Sequence, residues 1–355
     1  MFKIIFVLIG TFVGAGFASG KEIFNFFTVY SFNGFFSIFI FSLLLFLLIY
    51  KCLNIKINLK LNSYNDFILY LENKYKFFKH KYFLLIINIF LASSFYIMIS
   101  ALTSLFNYQF NIEKLITIIW TIFICFFIFY KKNINFIYII NSILMPILIL
   151  FVLSLCASNI NLNNITFNEI NNNSNIFISI FMGLLYFSYN SLLLISIIFD
   201  LKINLRKNKN SKIKKYNKIN NNLKISFIFS FIIFILTFLL NLLLLSYFNL
   251  IHNIEIPILY ISNSSFKFFS FFYFFIVLSA IITTMISSGY SFINNFNKNN
   301  FKIKLIVFLL FSFVFCLFSF SDLINFFYPV FGLIGFVQIF LILIDKYWKN
   351  KLKLI

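Results

Sequence analysis

Four of the nine glycines in this 355-residue chain fall between positions 10 and 20: Gly10, Gly14, Gly16 and Gly20. Lys21 and Glu22 follow at once, the only adjacent charges embedded in an apolar run. Glycine leaves helical geometry readily, costing about 1 kcal/mol relative to alanine in a helix interior. Grouped at membrane depth, it predicts backbone that leaves the helix. The freed N–H and C=O groups survive in a bilayer only where protein or a watery cavity satisfies them. The chemistry this allows is capture of a small solute by bare backbone. Two further stretches carry polar chemistry. Tyr186-Phe-Ser-Tyr-Asn-Ser191 is the most polar run inside any apolar segment, and Ala280-Ile-Ile-Thr-Thr-Met-Ile-Ser-Ser-Gly289 holds the adjacent hydroxyls of Thr283 and Thr284. Threonine oxygens with a backbone carbonyl make a hard-cation ligand set of the kind Na⁺ takes.

Each stretch has a second reading, and both stay open at this point. Gly10/Gly14 and Gly16/Gly20 have small-xxx-small spacing, so they suit close helix packing as well as unwinding. Hydroxyls inside membrane helices often bond their own i−4 carbonyl. Lys21 and Glu22 lie about 10 Å outward of Gly14–Gly16 on a helical rise, and sequence neighbours do not face each other. They either snorkel to the outer interface or line an outer vestibule, with Glu22 steering cations and Lys21 attracting a carboxylate. Two soluble motifs are only mimicked. Gly14-x-Gly16-x-x-x-Gly20 misses the dinucleotide fingerprint by one residue, and Glu22 stands where a phosphate loop needs Ser or Thr.

These residues must be positioned by membrane helices. The chain is 62% hydrophobic with mean hydropathy +0.98, and 11% of its residues are charged. No soluble domain of this length hides so much apolar surface, so the fold class is an all-α polytopic membrane protein. Apolar runs give ten transmembrane segments, near 3–30, 31–51, 82–107, 114–130, 134–157, 177–199, 224–248, 268–293, 305–320 and 323–344. The 59 phenylalanines carry no functional weight, because Ile, Asn and Lys are raised with them. All but Lys21, Lys114 and Lys267 of the 29 basic residues fall on one side of this topology. By the positive-inside rule both termini are cytoplasmic, in a bacterial inner membrane. The net charge of +20 is therefore an orientation signal with some anionic-lipid contact, not a nucleic-acid footprint. Cys52, Cys125, Cys156 and Cys316 lack metal or redox spacing, and His80 and His252 fall in loops on opposite sides. No nucleophile–base pair, acid pair or metal cluster lies inside the segments, so neither an enzyme nor a bound cofactor is expected.

The first segment is too long. Residues 3–30 as straight helix measure roughly 42 Å against a core of about 30 Å, and unwinding at Gly14-Ala15-Gly16 absorbs the excess near mid-membrane. The sixth is expected to be interrupted at Gly183 and the polar run after it. Interruptions in the first and sixth segments divide the chain into halves: 1–157, an outer connection 158–176, and 177–355 with a cytoplasmic tail. An odd number of crossings per half inverts the second relative to the first, the pattern of secondary transporters with a midplane site. The 200–222 connection is expected to be a polar, mobile inner loop.

The stretch Gly10-Thr-Phe-Val-Gly-Ala-Gly-Phe-Ala-Ser-Gly-Lys-Glu-Ile-Phe-Asn-Phe-Phe27 resembles the opening of the YkvI-like bacterial membrane proteins. These belong to the amino acid–polyamine–cation transporter superfamily, with the LeuT-type five-plus-five inverted repeat. Tyr186-Phe-Ser-Tyr-Asn190 and Tyr328-Pro-Val-Phe-Gly-Leu-Ile-Gly335 resemble the same group. The resemblance implies a Na⁺ site built from the carbonyls of Gly10, Val13 and Ala280 and the hydroxyls of Thr283 and Thr284. It also implies that the amides of Ala15, Gly16 and Phe17, beside Gly14, meet a substrate carboxylate, with Tyr186, Tyr189 and Asn190 completing the pocket. Beyond Glu22 no intramembrane Asp, Glu or His offers a proton relay, which favours Na⁺ coupling. The expected function is secondary transport of a small amino-acid-like solute by alternating access. The alternative is a nutrient-sensing receptor of the same fold without net transport.

Overall fold

The computed structural model describes residues 2–75, 80–131, 135–161, 175–201, 211–265, 267–294, 301–315 and 317–344. Among the described residues there is no strand. The first segment is a chain of short pieces, α1 (Phe2–Phe12), α2 (Ala15–Ser19) and α3 (Lys21–Phe26), closed by a 3₁₀ turn at Thr28–Tyr30. Then come α4 (Phe32–Leu59), α5 (Tyr64–Lys74), α6 (His80–Phe110), α7 (Lys114–Lys131) and α8 (Asn135–Asn159). The rest comprises α9 (Ile176–Asp200), α10 (Ser211–Ser246), α11 (Phe248–Ile251), α12 (Pro257–Ser265), α13 (Lys267–Asn294), α14 (Phe301–Leu310), α15 (Ser312–Phe315) and α16 (Phe320–Ile344). By length and composition, six helices among the described residues can cross a membrane, within α4, α6, α9, α10, α13 and α16. The protein is accordingly an all-α, membrane-embedded chain.

The broken first segment lies at the centre. The α1 piece touches α8, α9 and α10; α2 touches α12 and α13; α3 touches α9, α10 and α16. Leu8, Ile9, Val13, Phe17 and Ala18 are accordingly buried. Outward surfaces are apolar: Phe32, Phe36 and Phe39 are exposed, and they help line an all-phenylalanine groove of about 380 Å³ between α4 and α10. That is the surface expected against lipid tails rather than water.

Two expectations need correction. The sixth segment is not interrupted, because α9 runs without a break from Ile176 to Asp200. Its polar side chains bond carbonyls instead of breaking the helix. Asn190 Nδ2 donates to Tyr186 O at 3.0 Å, and Ser191 Oγ donates to Ser188 O at 2.6 Å. Second, 211–222 is the start of α10 rather than loop, while 202–210 lies outside the described residues, as does 162–174 of the outer connection. The lysine-bearing stretch after α4 contains α5, started by a capping box between Ser63 and Asp66. Backbone N–H donors from Asn62 and Ser63, with the Ser63 hydroxyl, hold the Asp66 carboxyl below its ordinary value.

The α9 helix is clamped between α4 and α16. Ser37 and Ser179 share a hydrogen bond of 2.6 Å on the α4 side, and Ser188 Oγ donates to Gly332 O at 2.6 Å on the α16 side. A Cβ on Gly335 would stand 2.5 Å from Ser188 O, so α16 reaches this backbone only because position 335 lacks a side chain. At the C-terminal end of α9, Lys56 Nζ donates to Ile198 O at 2.9 Å, to Phe199 O at 2.6 Å and to Leu201 O, capping its last carbonyls.

Candidate functional site

The break in the first segment is two residues wide. Val13 N still donates to Ile9 O at 2.7 Å, but Gly14 N turns aside to Phe12 O at 3.1 Å, and regular pairing resumes with Ala18 N to Gly14 O at 3.0 Å. Among the described residues, no backbone bond takes the N–H groups of Ala15, Gly16 or Phe17, and none lands on the carbonyls of Gly10, Thr11 or Val13. Tyr273 Oη of α13 donates to Ala18 O and anchors α2 against that helix. Peptide groups are thus bare on both sides of the gap at the centre of the bundle.

Glu22 is the residue sequence reasoning misplaced. It lies in the core, 5% exposed, rather than in an outer vestibule. The cause is Gly20, whose φ of +82° reverses the chain between α2 and α3. On one straight helix, residues 16 and 22 are about 9 Å apart along the axis and point to different faces. With the reversal, the Glu22 carboxylate folds back over Gly16, where a Cβ would stand 1.9 Å from Oε1. Only glycine leaves room for it. Tyr189 Oη donates to Glu22 Oε2 at 2.7 Å, and the hydroxyl of Tyr328 faces the same carboxyl.

Aromatic rings wall this carboxylate. Tyr189 stacks on Tyr328 with centroids 4.4 Å apart and meets Tyr186 edge-on at 5.5 Å. Phe26 and Phe27 lie 5.5 and 5.0 Å from Tyr186. Of the expected substrate residues, the structure brings Gly16 and Tyr189 against this carboxylate and Tyr186 within electrostatic reach of it, while Gly14 lies beside Thr284 instead. Asn190 is different, since its Nδ2 is spent within α9.

Lys21 points the other way. It is 3% exposed, so it does not snorkel into water. Its Nζ donates to Ile254 O at 2.9 Å and His252 O at 3.4 Å, between α11 and α12, and lies 5.2 Å from the Phe24 ring centroid. Adjacent in sequence, the two charges point apart: Lys21 fastens the connection between α11 and α12 and Glu22 enters the core.

Of the expected Na⁺ ligands, Thr284 stands beside the break, its Oγ1 4.0 Å from where a Gly14 Cβ would be. Thr283 and Thr284 both donate to Ala280 O, at 3.2 and 2.7 Å. Those bonds use the protons and leave hydroxyl lone pairs, which are what a cation takes. Three contributors were missed in the sequence. Tyr328 is legible only as part of a proline-containing motif, and Tyr273 has no local signal. Asn241, the acceptor of a 2.9 Å bond from Thr28, had one as the lone polar residue in a leucine-rich run. Among the described residues no group of His, Cys, Asp and Glu could hold a metal ion. No known protein-family model matches the chain, and no characterised protein matches it either.

Proposed function

We propose that this chain is a ten-crossing secondary transporter of the bacterial inner membrane, related to the YkvI-like proteins, with both termini in the cytoplasm. It moves a small amino-acid-like solute by alternating access. The observation that carries the reading is the two-residue break at Val13–Gly14, set at the centre of the bundle with bare peptide groups facing α9 and α13. A helix gap enclosed by protein is the arrangement in which irregular backbone is tolerated at membrane depth, and it is where solute sites of such transporters form. Na⁺ is the proposed coupling ion. The carbonyls of Gly10, Val13 and Ala280 with the hydroxyls of Thr283 and Thr284 are its ligands. Ion binding tightens the break and raises solute affinity, and by linkage the solute raises ion affinity equally.

The test is uptake into proteoliposomes holding the purified full chain, with a screen of radiolabelled amino acids and amines. Accumulation driven by an inward Na⁺ gradient, and abolished when the gradient is collapsed, is expected. Solute binding without accumulation under any ion gradient overturns transport and leaves a receptor.

A further inference from the structure

We propose that α5 is a releasable latch on the C-terminal end of α9, keyed by Lys56 and Asp200, and that its release opens a passage alongside α1 to the break. The proposal rests on the transport reading above, which needs a passage from the break to the face that carries the basic loops. It names the positioning residues that keep that passage shut.

Two charges hold the latch, each on the end of a neighbouring helix. Asp200 is the last residue of α9, where a carboxylate opposes the negative end of its own helix dipole. Its Oδ1 instead accepts the Tyr64 N–H at 2.8 Å, in the first turn of α5, where the positive end of that helix favours it. Lys56 of α4, within electrostatic reach of Asp200, neutralises the α9 end through the carbonyls of Ile198, Phe199 and Leu201. The Phe67 ring of α5 lies flat on Phe199 with centroids 4.0 Å apart, and both residues are fully buried. From α16, Gln338 Nε2 donates to Tyr64 Oη at 2.8 Å. Undocking α5 returns the Asp200 carboxylate to the wrong end of a helix.

Other features make the docking reversible. The α5 helix has eleven residues and buries Tyr64, Phe67, Ile68 and Leu71. A helix so short is marginal by itself and forms the kind of unit that opens before the rest of a fold. At its contact with α16, Oε1 of the fully buried Gln338 has no hydrogen-bond partner. A buried acceptor left unpaired disfavours the docked state, and water satisfies it once α5 lifts. The closed arrangement thus carries a cost that opening relieves.

Cys52 reports the latch. This α4 residue is fully buried and within electrostatic reach of Tyr64, so lifting α5 uncovers it. The purified full chain in lipid nanodiscs is treated with a water-soluble maleimide, and each thiol is followed by peptide mass spectrometry. In the native chain Cys52 is expected to react about tenfold faster than Cys125 and Cys156, which are buried in α7 and α8. Asp200→Asn is expected to raise the Cys52 rate about tenfold again with Cys125 and Cys156 unchanged. Asp200→Glu keeps the carboxylate and is expected to restore most of the native protection. Phe67→Ala removes the ring contact and is expected to act like Asp200→Asn, which keeps the test open if that variant folds poorly. Ile9→Cys, at a buried position of α1 before the break, is expected to gain reactivity in step with Cys52. A native Cys52 no faster than Cys125 and Cys156 overturns the latch, as does an equal rise at all three thiols in Asp200→Asn. Reactive Cys52 beside an inert Ile9→Cys overturns it too, because α5 then lifts without opening a passage. Failure here is distinct from failure of the transport reading. Na⁺-driven accumulation by a chain whose Cys52 stays sealed sinks only the latch, and joint opening of Cys52 and Ile9→Cys without accumulation sinks only transport.

Discussion

The first and sixth segments both carry residues foreign to lipid near mid-depth, yet the chain treats them in opposite ways. The first stops at Phe12, restarts at Ala15 and reverses at Gly20. The sixth passes through Tyr186–Ser191 as one unbroken helix. The difference lies in where the polarity resides. In α9 it is in side chains, which bring their own donors and spend them on carbonyls one turn back or on α16. Around Gly14 there is no polar side chain to spend on a carbonyl, and the polar groups that remain are the peptides themselves. The two segments then meet, the second lending hydroxyls to a carboxylate that the first has turned inward.

That contrast can be broken by experiment. The largest effect belongs to Gly16→Leu. The new side chain collides with the far end of Glu22, which is flexible, so membrane insertion should survive while solute binding is abolished. Retained binding would take the site away from the first segment. Next, Thr283→Ala or Thr284→Ala should remove Na⁺ dependence from uptake, with Ser287→Ala, one turn further along the helix, having little effect; equal losses in all three would mark general damage to α13. Gly335→Ala forces a Cβ against the backbone oxygen of Ser188, which cannot yield like a side-chain tip. A loss of about 1–3 kcal/mol is expected from overpacking, read as a lower unfolding midpoint in detergent. Asn190→Ala should cost about 0.5–1.5 kcal/mol for one lost hydrogen bond, with unchanged helical circular dichroism; a fall in helicity would mean the polar run holds α9 together. Smallest is Gly14→Ala. Its φ is −86°, and the nearest atom to a new Cβ is Thr284 Oγ1 at 4.0 Å. The expected change is under about 1 kcal/mol, which would assign the need for glycine to position 16 rather than 14.

Much of this was legible in advance. Hydropathy located the six long apolar helices, and the excess length of the first segment with its glycines located the break to within a residue or two. The nearness of Thr284 to that break was implied by the resemblance to the YkvI-like proteins, not by the spacing of the residues. The signal for α5, Ser63-x-x-Asp66, was present but overshadowed by the lysines around it. The fate of Lys21 and Glu22 was not legible. Helical spacing put both outside the core, and spacing fails once Gly20 adopts a left-handed conformation. Nor did polar composition foretell that α9 stays intact, since that depends on acceptors one turn away and on Gly332 and Gly335 of a helix about 140 residues later.

The order of residues alone settled that the chain is helical and built for a membrane, and where its first segment breaks. These are local quantities, summed over a window of one helix. Tertiary structure alone decided that Glu22 faces inward, that Lys21 is tied to the carbonyls of His252 and Ile254, and that Tyr189 and Tyr328, from two different helices, converge on one carboxylate. A side chain's direction after a backbone reversal is set by the partners that meet it, and those partners lie hundreds of positions away.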